Sequence, residues 1–421
     1  MKEHGKILVI GGGISGITTA LEASEIGQDV VLVEKSPTLG GRVSGFHQYF
    51  PKLCPPTCGL EINYRRLRAN PHIQIHTNSE VLSLSGDAGN FKVKIRRNPT
   101  FVNEKCVACD HCTAVCPSER SNDFNEGMNK TKAIFLPNNM AYPPRYVVDR
   151  PACEPGCSKC VEACKYGAID LDMQVEEIEI QVTSVVIATG WKPYDAKKLK
   201  NMGFSSVPNV INNIMMERIS SVSGPTKGKI LRPSDQKPVE SIAFVQCAGS
   251  RDENHLPYCS SICCLGSLKH ANYVLEQNPD AKIYIFYIDI RTPGKYEDFV
   301  AKVQTKPNVN MIKGKVAKIT AGENGGVLVE AENILKLEKV RLDVDMVVLA
   351  TGMEPNLKGQ ERIAGIELDE NGFVPMELQQ QGIFSTGVAK WPSDVNSSIQ
   401  DSTGAALKAI QTSIGLSLIH I

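Results

Sequence analysis

The sequence predicts an α/β protein with two nucleotide-binding-type domains, the first of which is interrupted by a small cysteine-rich α+β domain. Three observations predict this fold class. A strand, a glycine-rich turn, a helix and a second strand follow one another between Lys6 and Glu34, eight cysteines lie between Cys106 and Cys164, and another strand begins at Ile242. Apolar strands that alternate with helical segments are typical of parallel sheets. With 421 residues, the chain is long enough for two or three domains.

Composition narrows the class of protein further. The 46 basic and 46 acidic residues balance, so no nucleic-acid partner is indicated. The 14 cysteines are too clustered for a secreted disulfide framework. No signal-peptide pattern follows Met1, and no apolar run approaches the roughly 20 residues that span a bilayer. We therefore expect a soluble cytoplasmic protein whose link to a membrane, if it has one, comes through a partner.

The first unit has the pattern of a dinucleotide-binding fold. Gly11 permits a tight turn after the first strand, Gly13 lets the backbone approach a pyrophosphate, and Gly16 allows close packing of the helix. Glu34 follows the second strand, where its carboxylate can accept hydrogen bonds from both ribose hydroxyls of an unphosphorylated ribose.

Later segments favour FAD at this site. Leu39–Arg42 resembles the second flavin contact of flavoproteins with two dinucleotide-binding domains, and the Ala-Thr-Gly ends of 185–190 and 347–352 resemble their return strands. Gly382–Gly387, followed by a helix from about Asp401, resembles the segment that contacts the ribityl chain, although Val388 stands where those proteins have an acid. The resemblance implies these flavin contacts: Gly11, Gly13, Ile14, Ser15, Gly16, Glu34, Lys35, Gly40, Gly41, Arg42, Val81, Ala188, Thr189, Gly190, Thr351, Gly352, Gly387 and Val388.

Two ordered runs of four cysteines predict two [4Fe–4S] clusters. Three closely spaced thiolates wrap one cubane, while the fourth of each run serves the other cluster. Zinc motifs pair their thiols differently, and disulfides need an oxidising compartment. His111, inside the first run, either hydrogen-bonds a cluster sulfur or faces solvent. The predicted ligand sets are Cys106, Cys109, Cys112 and Cys164 for one cluster, and Cys153, Cys157, Cys160 and Cys116 for the other.

The cysteine-rich domain is predicted to lie inside the flavin domain. Alternating segments at 80–84, 91–97 and 174–182 predict a small sheet through which the chain enters and leaves the insert. Asn129–Arg150, between the two runs, is predicted to be a surface loop, and Ser417–Ile421 is not predicted to belong to a packed helix. The predicted ranges are 1–98, 173–238 and 341–421 for the FAD-binding domain, 99–172 for the insert and 239–340 for the second nucleotide-type domain.

The second nucleotide-type domain has cysteines where glycines are expected. Strand 242–246 is followed by Cys247-Ala-Gly-Ser-Arg251, which disfavours NAD(P)H because bulkier side chains obstruct a pyrophosphate. Its thiols are compatible with a third cluster, a redox-active pair or a buried structural group. Cys259 and Cys263 would face the same ligand if that segment is helical. Binding of one cubane by all four thiols requires an irregular backbone, or the replacement of one thiol by Cys54 or Cys58. The predicted metal ligands here are Cys247, Cys259, Cys263 and Cys264.

Cys54 and Cys58 follow the second flavin contact and are separated by Pro-Pro-Thr. They are compatible with cluster ligation, a redox disulfide or plain packing. The prolines predict a fixed loop rather than the helix N-terminus that activates a thioredoxin-type thiol.

Together these motifs resemble the heterodisulfide reductase A-subunit family. The match rests on the glycine fingerprint, Leu39–Arg42, the pair near Cys54, the ferredoxin insert and the segment Cys247–Cys264. The resemblance implies a thioredoxin-reductase-like flavoprotein with two dinucleotide-binding domains and an inserted two-cluster ferredoxin domain. It also implies an oxidoreductase that transfers electrons through FAD and iron–sulfur clusters and assigns no catalytic side chain.

Within that family, the chain is similar to the branch of flavoprotein subunits called QmoA, which belong to the quinone-interacting membrane-bound oxidoreductase. This similarity implies a complex at the inner face of the cytoplasmic membrane, in which a QmoC-like haem membrane subunit joins a QmoB-like flavin/iron–sulfur subunit. Electrons would pass between the menaquinone pool and adenylylsulfate reductase in dissimilatory sulfate reduction. The alternatives are a soluble heterodisulfide-reductase-type complex with flavin-based bifurcation, an NAD(P)H-dependent flavoprotein reductase, and an assembly protein without working cofactor sites.

Overall fold

A computed structural model describes residues 5–292, 294–359 and 362–415, so Ser417–Ile421 lies outside the described residues. The chain divides into two compact units. Met1–Trp191 and Pro355–Ile421 form the first unit, and Lys192–Glu354 forms the second. No helix in the described ranges is long and apolar enough to cross a membrane.

The first unit begins with seven regular elements. They are β1 (Ile7–Ile10), α1 (Ile14–Ser24), β2 (Val30–Val33), α2 (Pro56–Ala69), β3 (Ile73–His76), β4 (Ser79–Asp87) and β5 (Asn90–Arg97). The cysteine-rich insert contributes α3 (His111–Val115), β6 (Glu119–Ser121), β7 (Lys130–Lys132), β8 (Ile134–Phe135), β9 (Val147–Val148) and α4 (Lys159–Ala163). The chain then continues through β10 (Glu176–Val182), β11 (Ser184–Ile187) and β12 (Trp191–Pro193).

The remaining elements belong mainly to the second unit. They are β13 (Val210–Asn212), α5 (Asn213–Ser220), β14 (Ser241–Ala248), α6 (Cys263–Gln277), β15 (Lys282–Tyr287), α7 (Tyr296–Gln304), β16 (Val309–Lys313), β17 (Val316–Ala321), β18 (Val327–Asn333), β19 (Glu338–Val344), β20 (Met346–Thr351) and β21 (Met353–Pro355). The chain then returns to the first unit with β22 (Ile383–Ser385) and α8 (Val395–Ser413).

A parallel sheet of order β22-β11-β1-β2-β3 forms the centre of the first unit. Every residue of β1, β2 and β11 is buried, because apolar clusters cover both faces of the sheet. This double burial explains why these strands are continuous apolar runs instead of alternating ones. In such sheets ligands bind beyond the carboxyl ends of the strands, which here places the glycine-rich turn between β1 and α1 at the expected binding edge.

The insert connects two strands, β5 and β10, of a small antiparallel sheet of order β10-β5-β4, as the sequence predicted. Arg97, at the end of β5, pairs directly with Glu176, at the start of β10. The chain therefore leaves the flavin-type unit and re-enters it at neighbouring positions on two paired strands.

The segment Asn129–Arg150 is not the surface loop that the sequence predicted. It contains β7, β8 and β9, and its residues Ile134 and Val148 are almost fully buried in the core of the insert. The abundance of Pro and Asn misled the prediction, because β8 and β9 have only two residues each and carry no detectable alternation.

The second unit has its own parallel sheet, of order β13-β20-β14-β15-β16, with α6 following β14, and a separate antiparallel sheet β17-β18-β19. This arrangement confirms a second nucleotide-type fold. Its compact boundaries differ from the predicted ranges, because β13 and α5 from 173–238 and β20 from 341–421 both lie in this unit.

Candidate functional site

The glycine-rich turn has the geometry that its sequence predicts. Gly11 has φ +108°, and its N–H donates to the carbonyl of Val33 at 2.7 Å, so the turn closes directly over β2. A Cβ on Gly16 would lie 1.8 Å from the carbonyl oxygen of Gly11, so this helix position requires glycine. The nearest neighbour of a Cβ on Gly13 would instead be the Cα of Gly41, at 3.9 Å, so the backbone of Gly13 is accessible to a ligand.

Glu34 supplies a buried carboxylate beside this turn. Its carboxylate accepts hydrogen bonds from the main-chain N–H of Gly12 and, at 2.7 Å, from that of Ser36. Burial raises the pKa of Glu34, although the two N–H groups act in the opposite direction. The carboxylate lies at the end of β2, where it can accept hydrogen bonds from the ribose hydroxyls of a dinucleotide.

Three glycine segments converge on the N-terminus of α1. A Cβ on Gly41 would lie 2.9 Å from the Cα of Gly13, and a Cβ on Gly387 would lie 2.2 Å from the Oγ of Ser15. No side chain caps the first turn of α1, which begins after Gly13. The arrangement leaves main-chain N–H groups and a helix dipole for a pyrophosphate, and it fits FAD.

The return strand β11 adds a further contact candidate. Thr189, two residues after β11, has a buried Oγ1 without a hydrogen-bond partner among the described residues. Its carbonyl accepts from the side-chain amide of Asn356 at 2.6 Å, which fixes the backbone between Ala188 and Gly190. An orphaned hydroxyl at a ligand-binding edge is consistent with a bound polar group.

Asp401 is a site residue that the sequence prediction missed. Its Oδ2 accepts a hydrogen bond from the N–H of Gly387 at 2.9 Å, and its Oδ1 lies 3.0 Å from the Nζ of Lys390. Helix α8 therefore places a carboxylate beside Gly387, next to the position of Val388 where an acid was missing. That helix begins at Val395, with Asp394 as its N-cap, and not at about Asp401 as predicted. The N-cap signal at Asp394 was available in the sequence.

The remaining predicted flavin contacts fall in different places. Lys35 follows Glu34 after β2, Val81 lies in β4 and is mostly buried, and Val388 is buried beside Gly387. Thr351 and Gly352 lie in the second unit, at the carboxyl end of β20, where the hydroxyl of Thr351 donates to the side chain of Asn213 at 2.8 Å. A flavin role for Thr351 and Gly352 stays a prediction.

Arg42 connects the flavin motif to two other segments of the first unit. Its Nη1 lies 3.2 Å from a carboxylate oxygen of Glu126 in the insert, and its Nε donates to the carbonyl of Trp191 at 3.3 Å. The motif Leu39–Arg42 predicted Arg42 as a flavin contact, whereas no local pattern points to Glu126, which is 84 residues away along the chain.

The insert brings the fourth thiol of the first run to the second run. One cavity is lined by Cys116 together with Cys153, Cys157 and Cys160, with Ile134, Val148 and Pro117 forming part of its apolar wall. This is the crosswise arrangement that the spacing predicted for a two-cluster ferredoxin. The thiol chemistry and apolar wall fit an iron–sulfur cluster.

The other thiols of the insert pack close by. Cys112 is buried, and burial, followed by the neighbouring Cys106 among the raising causes, shifts the pKa of the Cys112 thiol to about 11. The Sγ of Cys109 lies 3.6 Å from the Nδ1 of His111, the contact that the sequence left open. The Sγ of Cys164 accepts the N–H of Ala168 at 3.4 Å.

A single-ion geometry is not formed by these thiols. In the described part of the chain, no three His, Cys, Asp or Glu side chains converge closely enough to hold one metal ion. A cubane binds each thiolate to a different iron, so its ligands surround a larger volume than those of one ion.

The second unit assembles the other four predicted ligands. Burial, together with the nearby thiols of Cys264 and Cys259, raises the pKa of the Cys247 thiol to about 11. Cys263 is buried against the same three thiols, which together with burial raise its pKa. Cys263 and Cys264 open helix α6 and Cys247 lies at the end of β14, so β14, the following loop and α6 together gather the group.

The loop that joins these cysteines is irregular. Cys247, Arg251 and Ser261 have φ values of +56°, +59° and +62°, which L-residues seldom adopt. Cys259 precedes α6, so the helical relationship considered for Cys259 and Cys263 is wrong. The backbone is irregular between Cys247 and Ser261, whereas Cys263 and Cys264 both lie in helix α6, so binding of all four thiols to one cluster stays a prediction. Unusual backbone conformations of this kind concentrate at functional sites.

Charged groups surround this cysteine group. Arg251 forms an ion pair with Asp289, and its guanidinium lies close enough to Cys247 to lower the pKa of that thiol. The main-chain N–H of Arg291 donates to the Sγ of Cys264 at 3.5 Å. Asp289 and Arg291 lie just beyond β15 and were not predicted, because no local pattern connects them with Cys247.

Cys54 and Cys58 contradict one prediction. Helix α2 begins at Pro56, so Cys58 lies in its first turn instead of in a fixed loop. Proline is favoured at the first position of a helix, because that position needs no N–H donor. Cys58 is exposed and Cys54 is half-buried. Their role stays open.

Comparisons with known proteins show what this architecture is similar to. Residues 6–56 match the family model for FAD dependent oxidoreductases, and residues 290–400 match that for pyridine nucleotide-disulphide oxidoreductases. The A-subunit of the ferredoxin/F(420)H(2)-dependent CoB-CoM heterodisulfide reductase of Methanosarcina acetivorans is 37% identical over 97% of this chain and 53% of its own length. The chain belongs to the heterodisulfide reductase A-subunit-like family.

Other members of that family show the same extent of similarity. The A-subunit of the H(2):CoB-CoM heterodisulfide,ferredoxin reductase of Methanothermobacter thermautotrophicus is 36% identical over 96% of this chain and 63% of its own length. The iron–sulfur A-subunit of the CoB–CoM heterodisulfide reductase of Methanocaldococcus jannaschii is 36% identical over 95% of this chain and 63% of its own length. The chain thus spans between about half and two-thirds of the length of these curated relatives. The predicted family and the prediction of an FAD-binding oxidoreductase are confirmed.

Solved structures confirm the fold. Thioredoxin reductase from T. acidophilum has a TM-score of 0.52 at 13% identity, covering 97% of this chain and 98% of that protein. The Lactococcus lactis thioredoxin reductase has a TM-score of 0.51 at 13% identity, covering 98% of this chain and all of that protein. The predicted thioredoxin-reductase-like fold is therefore correct.

Proposed function

We propose that this chain is an FAD and iron–sulfur electron-transfer subunit of a multi-subunit oxidoreductase. The observation that carries the proposal is that one compact unit contains both a dinucleotide site and a cavity in which Cys116 of the first cysteine run joins Cys153, Cys157 and Cys160 of the second. When bound, FAD exchanges electrons in pairs and each cluster exchanges them singly, which makes the combination a junction between the two kinds of carrier.

The residues of the chain bind, orient and shield these groups. The N-terminus of α1 would hold the pyrophosphate of FAD, and the Glu34 carboxylate would accept hydrogen bonds from its ribose hydroxyls. Apolar residues such as Ile134 and Val148 line one side of the cavity at Cys116, Cys153, Cys157 and Cys160 and would shield a cluster there from water on that side. No side chain of the chain is required to act as a nucleophile or general base.

The third cysteine group is proposed to hold a third cluster. Its support is that the end of β14, the irregular loop after it and the start of α6 bring Cys247, Cys259, Cys263 and Cys264 near one another, with Arg251 close to Cys247 and Cys259. The proposed ligands of the insert are Cys106, Cys109, Cys112, Cys116, Cys153, Cys157, Cys160 and Cys164. Three complete quartets correspond to roughly twelve iron atoms per chain.

Two finer assignments use this same chemistry. The sequence resemblance to the QmoA branch supports electron transfer between the menaquinone pool and adenylylsulfate reductase, with QmoB-like and QmoC-like partners at the inner face of the cytoplasmic membrane. The names of the curated relatives support the other assignment, a heterodisulfide-reductase-type complex with flavin-based bifurcation.

Reconstitution with candidate partners separates the two assignments. The QmoA-type role predicts that a menaquinol analogue reduces the flavin only when the haem membrane subunit is present. The heterodisulfide-reductase role predicts reduction that requires only soluble partner proteins. Flavin reduction by a quinol analogue without any membrane partner would contradict the QmoA-type role.

Two further alternatives are tested on the isolated chain. Rapid bleaching of the flavin by NAD(P)H would support an NAD(P)H-dependent reductase and contradict the proposal. An assembly protein without working sites predicts no flavin absorbance and far fewer than roughly eight iron atoms per chain after anaerobic purification.

A further inference from the structure

The insert forms hydrogen bonds to residues 38–42, the loop that carries the second glycine motif and is called the flavin loop below. The N–H of Leu39 donates to the carbonyl of Tyr142 at 2.9 Å, and the N–H of Tyr142 donates to the Oγ1 of Thr38 at 2.9 Å. Thr38 and Leu39 are both buried, so the N–H of Leu39 and the hydroxyl of Thr38 need hydrogen-bond partners within the protein. The loop that carries the second glycine motif is therefore held from the insert side.

An aromatic pair strengthens the same contact. The rings of Tyr142 and Tyr64 stack at 5.0 Å between centroids with an interplanar angle of 12°. The hydroxyl of Tyr64, which lies on α2, donates to the carbonyl of Leu39 at 3.0 Å. Leu39 is thus fixed at its N–H by the insert and at its carbonyl by α2.

A charged contact holds the other end of the loop. Arg42 is bound by the Glu126 carboxylate at 3.2 Å and by the Trp191 carbonyl at 3.3 Å, and its guanidinium lies 6.0 Å from the centre of the Trp191 ring. The side chain of Glu126 is 24% exposed, so solvent screens this ion pair only in part. Glu126 is the group in the insert that balances the charge of Arg42.

Both contacts come from the stretch between the two cysteine runs. Glu126 and Tyr142 lie after Cys116 and before Cys153, and these two thiols line the same cavity. Ligand binding by Cys116 and Cys153 would therefore fix both ends of the stretch that holds the flavin loop. Metal sites of this kind couple ligand binding to local folding.

We propose that Glu126 is a positioning residue of the flavin site, and that cluster loading in the insert is thermodynamically linked to FAD affinity through Glu126 and Tyr142. The inference rests on the proposed binding of FAD and clusters. Glu126 orients Arg42, and the Tyr142 backbone fixes Leu39, so the flavin loop adopts its binding conformation when the insert is folded. By linkage, FAD then also favours the loaded insert.

The first test compares Glu126→Gln with Glu119→Gln in the purified holoprotein. Glu119 lies in the same insert and forms ion pairs with Lys130 and Lys132. We expect Glu126→Gln to keep its iron, shift the flavin absorbance spectrum and weaken FAD binding roughly three- to tenfold in a fluorescence titration. Glu119→Gln should match wild type in all three properties, and Glu126→Asp should recover part of the affinity.

The second test perturbs a cluster ligand and measures the linkage to FAD binding, first alone and then together with Glu126→Gln. Cys160→Ser, which removes one predicted ligand beside Cys116, should lower both iron content and FAD affinity. In a Glu126→Gln background, the additional loss of FAD affinity should be smaller, because one of the two contacts is already gone.

The outcomes separate this inference from the proposed function. A wild-type chain that binds no FAD would contradict the proposed function. A wild-type chain with FAD and iron, in which Glu126→Gln matches Glu119→Gln and Cys160→Ser keeps full FAD affinity, would contradict this inference alone.

Discussion

The carboxylate of Glu34 accepts the main-chain N–H of Gly12, 22 residues earlier in the chain, inside a buried site. Desolvation raises the pKa of this carboxyl, so its ionised form weakens the folded protein when no ligand is bound. The same ionised group is the acceptor that a ribose needs. The site is thus built for its ligand at a cost in stability.

Glu34→Gln is therefore expected to separate binding from stability. The FAD affinity should fall roughly ten- to a hundredfold, because charge-assisted hydrogen bonds contribute about 1.5–3 kcal/mol. The ligand-free variant should lose little or no thermal stability, because removal of the buried charge offsets the one main-chain hydrogen bond that the Gln amide nitrogen cannot accept. Fluorescence titration and thermal unfolding measure the two effects. Glu61→Gln, at an exposed ion pair with Arg65, is the matched control.

The raised pKa of Glu34 also predicts a pH dependence. A carboxyl whose folded-state pKa lies above its ordinary value of 4.5 contributes stability below that value and loses it as the pH rises through the folded pKa. FAD affinity should follow the opposite course and fall as acidification protonates Glu34. In Glu34→Gln the corresponding part of this pH dependence should vanish. An unchanged pH profile would contradict the assigned role.

Gly387 is expected to tolerate no side chain. Its φ of +59° and the 2.2 Å distance from an added Cβ to the Oγ of Ser15 combine backbone strain with a steric conflict. Gly387→Ala should reduce the free energy of unfolding by about 1–3 kcal/mol and displace the N–H that Asp401 accepts. Gly404→Ala, in the middle of α8 where a Cβ meets nothing within 4 Å, should instead be neutral or stabilising.

The charges beside the third cysteine group should shift its reduction potential in opposite directions. Arg251→Gln removes a cation near Cys247 and should lower the potential, whereas Asp289→Asn leaves Arg251 unbalanced and should raise it. Each shift should be on the order of tens of millivolts, measured by EPR-monitored titration. Two shifts of the same sign would indicate a general structural disturbance and would contradict a charge effect.

Cys263→Ser tests whether this group binds a cluster. The buried thiol faces Cys247, Cys259 and Cys264, so its loss should remove roughly four iron atoms and one EPR signal while the insert keeps its own. Unchanged iron content would show that the group serves another purpose.

Local patterns predicted the parts of the site whose residues are close in the sequence. Spacing over short windows predicted the glycine turn with Glu34 and the cavity that Cys116 shares with the second cysteine run. Alternation predicted the sheet β10-β5-β4, from which the chain enters and leaves the insert. Glu126, Tyr142 and Asp289 were missed because their contacts join residues far apart in the chain. Asp401 was missed for a different reason, since the start of α8 was placed too late.

Prolines and positive φ values account for the other differences. Pro56 was interpreted as part of a fixed loop, although it opens helix α2. The left-handed conformations of Cys247 and Arg251 could not be predicted, because only tertiary packing holds such residues there. Both errors concern the cysteines outside the insert, where no regular spacing guided the prediction.

The proposed function requires that this one chain carries a flavin and iron–sulfur clusters that exchange electrons. An anaerobic redox titration of the purified chain, followed by visible absorbance and EPR together with FAD and iron analysis, tests it most directly. We predict one FAD and roughly twelve iron atoms per chain, with flavin bleaching accompanied by EPR signals of reduced [4Fe–4S] clusters. A chain that contains flavin but fewer than roughly four iron atoms, and shows no cluster signal on full reduction, would contradict the account.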